Sequence, residues 1–144
     1  MKTRIKIDQV ELAGYKAVLG LEKFIESTPL KRTHKDLIKI RASQINGCAF
    51  CIDMHTKEAR KAGETEQRIY ALNAWRDTLF FSEEERAILA LTEEITLISN
   101  HVSDETYELA ANLLDETYLA QVILSIITIN VWNRIGIATA LLPG

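Results

Sequence analysis

The sequence predicts an all-α protein, a single domain over residues 1–144 built as a bundle of six or seven helices. Three observations carry this. The 144 residues include only two prolines and six glycines, and these fall as punctuation between long stretches. Within those stretches apolar residues recur three and four apart. Helix-start and helix-stop residues stand at their borders.

Taken in order, a first segment runs from about Asp8 to Glu26 and stops before Pro29, which bars continuation. A second spans about Thr33 to Ile45. Thr33 is its expected N-cap, with Asp36 three residues on as capping partner. Asn46-Gly47 reads as its stop, glycine suiting a left-handed residue after the last turn. The third segment starts almost at once, Cys48 to about Ala62, and Gly63 ends it; a short fourth follows from Thr65 to about Trp75. The fifth has the clearest start, because in "SEEER" Ser82 caps and Glu85 reaches back. The sixth spans about Asp104 to Leu114. The last, Tyr118 to Leu142, contains the β-branched run "IITINVW", but its length and lack of breakers favour helix. Being apolar nearly all round, it has to be buried centrally or against another subunit.

Composition narrows the function classes. The net charge is −3, with 17 basic and 20 acidic residues and no basic block, so a nucleic-acid partner is not expected. The opening "MKTRIKIDQV" lacks the apolar core of a signal peptide, and no uninterrupted apolar run approaches bilayer length. A cytoplasmic location without membrane attachment is the expectation. In that reducing compartment a cysteine pair points to catalysis or metal binding.

Both cysteines and one of the three histidines fall in "INGCAFCIDMHTKEAR", residues 45–60. If Gly47 closes one helix, Cys48 stands at the N-cap of the next, Cys51 in its first turn and His55 one turn on. Spacings of three and four place all three on one face with Ile52, Ala59 and Ala62. Asp53, Lys57, Arg60 and Lys61 then form the solvated face. Unpaired N–H groups at a helix start favour thiolate over thiol, and two intervening residues permit a disulfide. A histidine four residues beyond Cys51 is placed to take its proton. The dipole favours Cys48 as nucleophile and the histidine favours Cys51, so these cues leave the choice open.

Rival chemistries fit less well. Zinc would take Cys48, Cys51 and His55 with His34, His101 or Asp36 as a fourth ligand, but a second Cys-x-x-Cys is missing. A c-type haem site wants histidine where Ile52 stands, and a thioredoxin-like site wants a strand where Leu37 to Ile45 reads as helix. Neither a metal nor an organic cofactor is expected. His34 and His101, near helix starts, are expected at the surface. Glu93 and Glu94 are read as an exposed helix face. Asn130, Trp132, Asn133 and Arg134 are read as helix–helix hydrogen bonding at a subunit interface, with pocket lining as the alternative.

With these residues identified, the stretch from "LIKIRASQINGCAFCIDMHTKEARKAGETEQRIYALNAW" through "SEEERAILALTEEIT", with the later "INVWNRI", resembles the carboxymuconolactone decarboxylase superfamily on its alkylhydroperoxidase D (AhpD)-like branch. The likeness covers about residues 33–137. The family pattern is a glutamate, eleven residues, then Cys-x-x-Cys-x-x-x-His. Cys48, Cys51 and His55 match it, Asp36 replaces the glutamate, and Phe50 stands where some members carry a histidine.

The resemblance implies an all-helical homotrimer or homohexamer that reduces organic hydroperoxides by a thiol cycle. It implies that Cys51 attacks, Cys48 resolves, and His55 with Asp36 relays the proton. An external dithiol, in some relatives on a lipoyl-bearing protein, regenerates the thiols. Two other functions stay open at this point: a cofactor-free lactone decarboxylase, and a non-catalytic redox-sensing oligomer.

Overall fold

The computed structural model describes residues 2–144. Among these there are helices and no strands: α1 Ile7–Val10, α2 Leu12–Ser27, α3 Arg32–Asn46, α4 Ala49–Lys61, α5 Glu66–Tyr70, α6 Glu83–Thr96, α7 Asp104–Leu113 and α8 Glu116–Ala138. Two 3₁₀ turns, Leu72–Asp77 and Ile98–Asn100, complete them. The all-α expectation holds. The count rises above seven because the first segment breaks at Glu11 (φ −138°, ψ 71°), where nothing in the local sequence marks a break. The fourth segment likewise passes from α5 into a 3₁₀ turn with a non-helical Ala74.

Several borders follow from capping chemistry. Ser82 and Glu85 form the expected reciprocal capping box of α6. Thr65, Ser103 and Asp115 each accept a backbone N–H at the starts of α5, α7 and α8. The expected cap at Thr33 is not made. Helix α3 begins one residue earlier with Lys31 at the N-cap and no side-chain cap, and Asp36 accepts instead from Arg32 Nε at 2.9 Å.

Helix α3 is central, packed against α4, α6 and α8. It serves two cores, which explains its imperfect single apolar face. Ile38 and Ala42 enter one with Ile88, Leu91, Val122, Ile126 and Ile129. Leu37 and Ile40 enter the other with Ala59, Leu72, Trp75 and Leu89. Helix α8 is long and apolar enough by length and composition to cross a bilayer, yet in this fold it packs against α2, α3, α4, α6 and α7.

Helix α8 also ends earlier than its composition suggests. It stops at Ala138; Ala140 takes a positive φ of 54° and the Leu141 N–H returns to Gly136 O at 2.9 Å. This turn folds the tail back over α8.

Polar groups lock the elements together. Glu93, expected on an exposed face, is largely buried and accepts from Arg41, Arg76 and the Trp75 indole. Glu94 accepts the Ser103 N–H at 2.7 Å and the Thr106 hydroxyl, tying α6 to the start of α7. His34, expected at the surface, is buried with Nδ1 2.6 Å from the Tyr118 hydroxyl. In each case a partner distant in sequence offsets the cost of burial.

Candidate active site

The site is built where α3 turns into α4. Gly47 is left-handed (φ 70°, ψ 34°) and the Cys48 N–H bonds back to Ser43 O at 3.0 Å, closing α3 as its Asn-Gly stop predicts. Cys48 is the N-cap of α4, and its sulfur accepts the Cys51 N–H at 3.3 Å. The two sulfurs are joined in a disulfide, with the Cα atoms 5.3 Å apart. The corner is anchored to α8. Asn46 Nδ2 donates to the side-chain oxygens of Asn130 and Asn133, both at 2.9 Å, and Asn133 donates to Ser43 Oγ at 3.0 Å. The polar patch of α8 makes helix–helix hydrogen bonds within the chain rather than at the expected subunit interface, and its Trp132 also lines the pocket.

One turn beyond Asn133, α8 presses bare backbone on the disulfide. A Cβ added at Gly136 would lie 3.1 Å from Cys48 Sγ and 3.6 Å from Cys51 Sγ. Glycine here permits a close approach that any side chain would crowd.

On the other side of the disulfide a cavity of about 360 Å³ opens, and Cys51, not Cys48, lines it. Tyr15 and Leu19 of α2, Phe50 and Met54 of α4, and Trp132 and Ile135 of α8 form apolar walls, with Leu141 from the returning tail. His55, Glu58, Glu22, Glu26 and Lys39 supply the polar lining. His55 is buried with its Nδ1 3.4 Å from Glu58 Oε2, and its Nε2 has no hydrogen-bond partner among the described residues. A carboxylate only accepts, so it holds the imidazole proton on Nδ1 and leaves the Nε2 lone pair free. Burial, and next the Lys39 charge, hold the His55 pKa below its ordinary 6.5, against the opposing pull of Glu58. At neutral pH this ring is an uncharged base.

The structure thus gathers Cys48, Cys51 and His55. It places Asp36 elsewhere: its carboxylate is held by Arg32 and borders a separate recess with Thr33, Gly63, Glu64 and Arg68. Burial raises its pKa, opposed by Arg32. The carboxylate against His55 is Glu58, which the sequence reading passed over although its i+3 spacing marks it. Glu22, Lys39 and Tyr15 carry no local signal, since α2, α3 and α8 bring them together with Trp132, for which pocket lining is the alternative sequence reading. Among the described residues no three His, Cys, Asp or Glu side chains are placed to hold a metal ion. Ala62, expected on the buried face, is exposed.

Residues 13–94 match the model of the carboxymuconolactone decarboxylase family. The chain belongs to that family. Its fold places it on the AhpD-like branch. The protein ATU0492 of Agrobacterium tumefaciens, described as of unknown function and as a candidate antioxidant defence protein AhpD, superposes with a TM-score of 0.96 at 36% identity over 99% of both chains. The uncharacterized protein YdfG of Bacillus subtilis is 50% identical over 96% of this chain and 95% of its own length. The debrominase Bmp8 shares the fold at a TM-score of 0.81, with 22% identity over 89% of this chain and 69% of its own.

Proposed function

We propose that this AhpD-like protein is a thiol-dependent hydroperoxide reductase whose substrate meets Cys51. The observation that carries the reading is the cavity in which Cys51 and a neutral His55 share one wall, with Cys48 bonded behind. In the reduced protein His55 Nε2 takes the Cys51 proton. The thiolate attacks the terminal peroxide oxygen; the O–O bond breaks, the alcohol leaves with the proton from His55, and Cys51 becomes a sulfenic acid. Cys48 then attacks Cys51 Sγ, expelling water and forming the disulfide. Glu58 holds the imidazole in its working tautomer, the relay role assigned by resemblance to Asp36.

Regeneration runs through the same opening. An external dithiol attacks Cys51 Sγ and releases Cys48 as a thiolate, which the Cys51 N–H and the start of α4 stabilise. The resemblance makes a lipoyl-bearing protein the first candidate for that dithiol. The exposed apolar side chains Ile98, Tyr107, Leu124 and Ile127 on α7, α8 and the neighbouring turn support association between copies of the chain, which the resemblance makes a homotrimer or homohexamer.

Stopped-flow mixing of the reduced protein with cumene hydroperoxide tests the reading. The expected result is one Cys48–Cys51 disulfide per peroxide consumed, with the reaction abolished in Cys51→Ser and halted at the sulfenic acid in Cys48→Ser. Peroxide consumption that survives in Cys51→Ser would overturn it.

A further inference from the structure

The structure assigns to Glu22 the role of excluding anionic ligands, so that the Cys51 cavity takes uncharged hydroperoxides with a compact apolar body. This rests on Cys51 being the sulfur that meets the substrate. The apolar walls suit an alkyl or aryl group, and the question is whether anything can receive a carboxylate on it. Two N–H donors face the cavity, the Lys39 ammonium and the Trp132 indole. Glu22 engages both: Oε1 accepts one N–H of Lys39 Nζ at 3.0 Å, pairing its charge, and Oε2 accepts the Trp132 indole N–H at 3.2 Å. Tyr15 offers a hydroxyl that serves a neutral oxygen as well as an anion.

Glu26 and Glu58 add two more carboxylates to the lining, so the acids outnumber the one lysine. Arg32 and Lys35 border an adjoining recess rather than this cavity, and Arg32 is engaged by Asp36. An entering carboxylate would lose its water to meet a single lysine already paired with Glu22, and three like charges. Removing Glu22 frees Lys39 and the indole together. The selectivity then hangs on one side chain.

Two arms test this. In reduced Cys48→Ser protein, where Cys51 is the sole thiol, the alkylation rates by iodoacetamide and iodoacetate are compared, each normalised to 2-mercaptoethanol. Neutral reagent is expected to win by about tenfold or more, Glu22→Gln to bring that ratio down at least about fivefold, and Lys39→Met added to Glu22→Gln to restore it. The second arm compares, in the full chain, cumene hydroperoxide with its para-carboxylate. Glu22→Gln is expected to move the kcat/KM ratio toward the acid by about the same factor. Glu22→Met serves as a second variant if the glutamine form folds poorly. A wild-type ratio equal to that of the free thiol, or one that Glu22→Gln leaves unmoved, overturns the assignment. Charge selection in the alkylation arm with neither hydroperoxide consumed would instead sink the peroxidase reading and leave only the exclusion of anions by Glu22 standing.

Discussion

At the scale of single residues, Glu58 and His55 set the acid–base behaviour of the site. The His55 pKa is lowered, so the base form persists below pH 6.5 and is lost only on further acidification. The acid limb of kcat/KM for peroxide is therefore expected below pH 6.5, read from a pH–rate profile. Glu58→Gln removes the charge that pulls this pKa up, so it should move that limb to still lower pH while cutting the rate about tenfold or more. A limb that stays in place would dissociate Glu58 from His55.

His34 makes a second prediction, about stability. Burial, and next Lys31, lower its pKa. The Lys31 backbone N–H donates to the Tyr118 oxygen at 3.0 Å, which leaves the hydroxyl hydrogen available to a neutral His34 Nδ1 2.6 Å away. A group whose folded pKa lies below its unfolded value contributes stability that is complete above about pH 6.5 and is lost as the pH falls toward the folded pKa. Urea titrations between pH 7.5 and 5 should show that decline. It should shrink in His34→Gln.

Among the elements, the contact between α8 and the start of α4 is the most sensitive. Gly136→Ala gains about 0.5–1 kcal/mol of helix propensity but crowds Cys48 Sγ, and overpacking typically costs about 1–3 kcal/mol. A net loss of about 1 kcal/mol is expected by thermal melt, accompanied by slower peroxide reduction. Gly20→Ala on α2, with open space around its Cβ, is expected to gain stability instead. At the start of α6, Ser82→Ala breaks the capping box and should cost about 1 kcal/mol in denaturant unfolding.

For the whole molecule, the apolar groove lined by Leu91, Ile95, Ile98, Val102, Tyr107, Ile123 and Ile127 between α6, α7 and α8 is where the proposed oligomer makes its prediction. Sedimentation should give a multiple of the 16.3 kDa chain, three or six, and Ile127→Asp should shift it toward the monomer. A monomeric wild-type protein would remove the oligomer from the proposal. The Cys51 cavity is itself a product of this scale. Its roof is α2, which has only Ile25 buried and is held over the site by the Glu22 bridge to α3 and α8.

The all-α class, the Asn46-Gly47 stop, the Ser82 cap and the Cys48/Cys51/His55 face were legible in the chain because each depends on residues within about two helical turns of one another. Spacing along a helix is a local property, and a cap or a left-handed glycine needs no distant partner. Glu58 was within the same reach. The partners of His34 and Glu93, the early end of α8, and the meeting of Glu22, Lys39 and Trp132 were decided only when the helices packed. A buried charge or ring takes whichever complementary group the fold brings near it, and that group lies up to 110 residues away, as Trp132 does from Glu22.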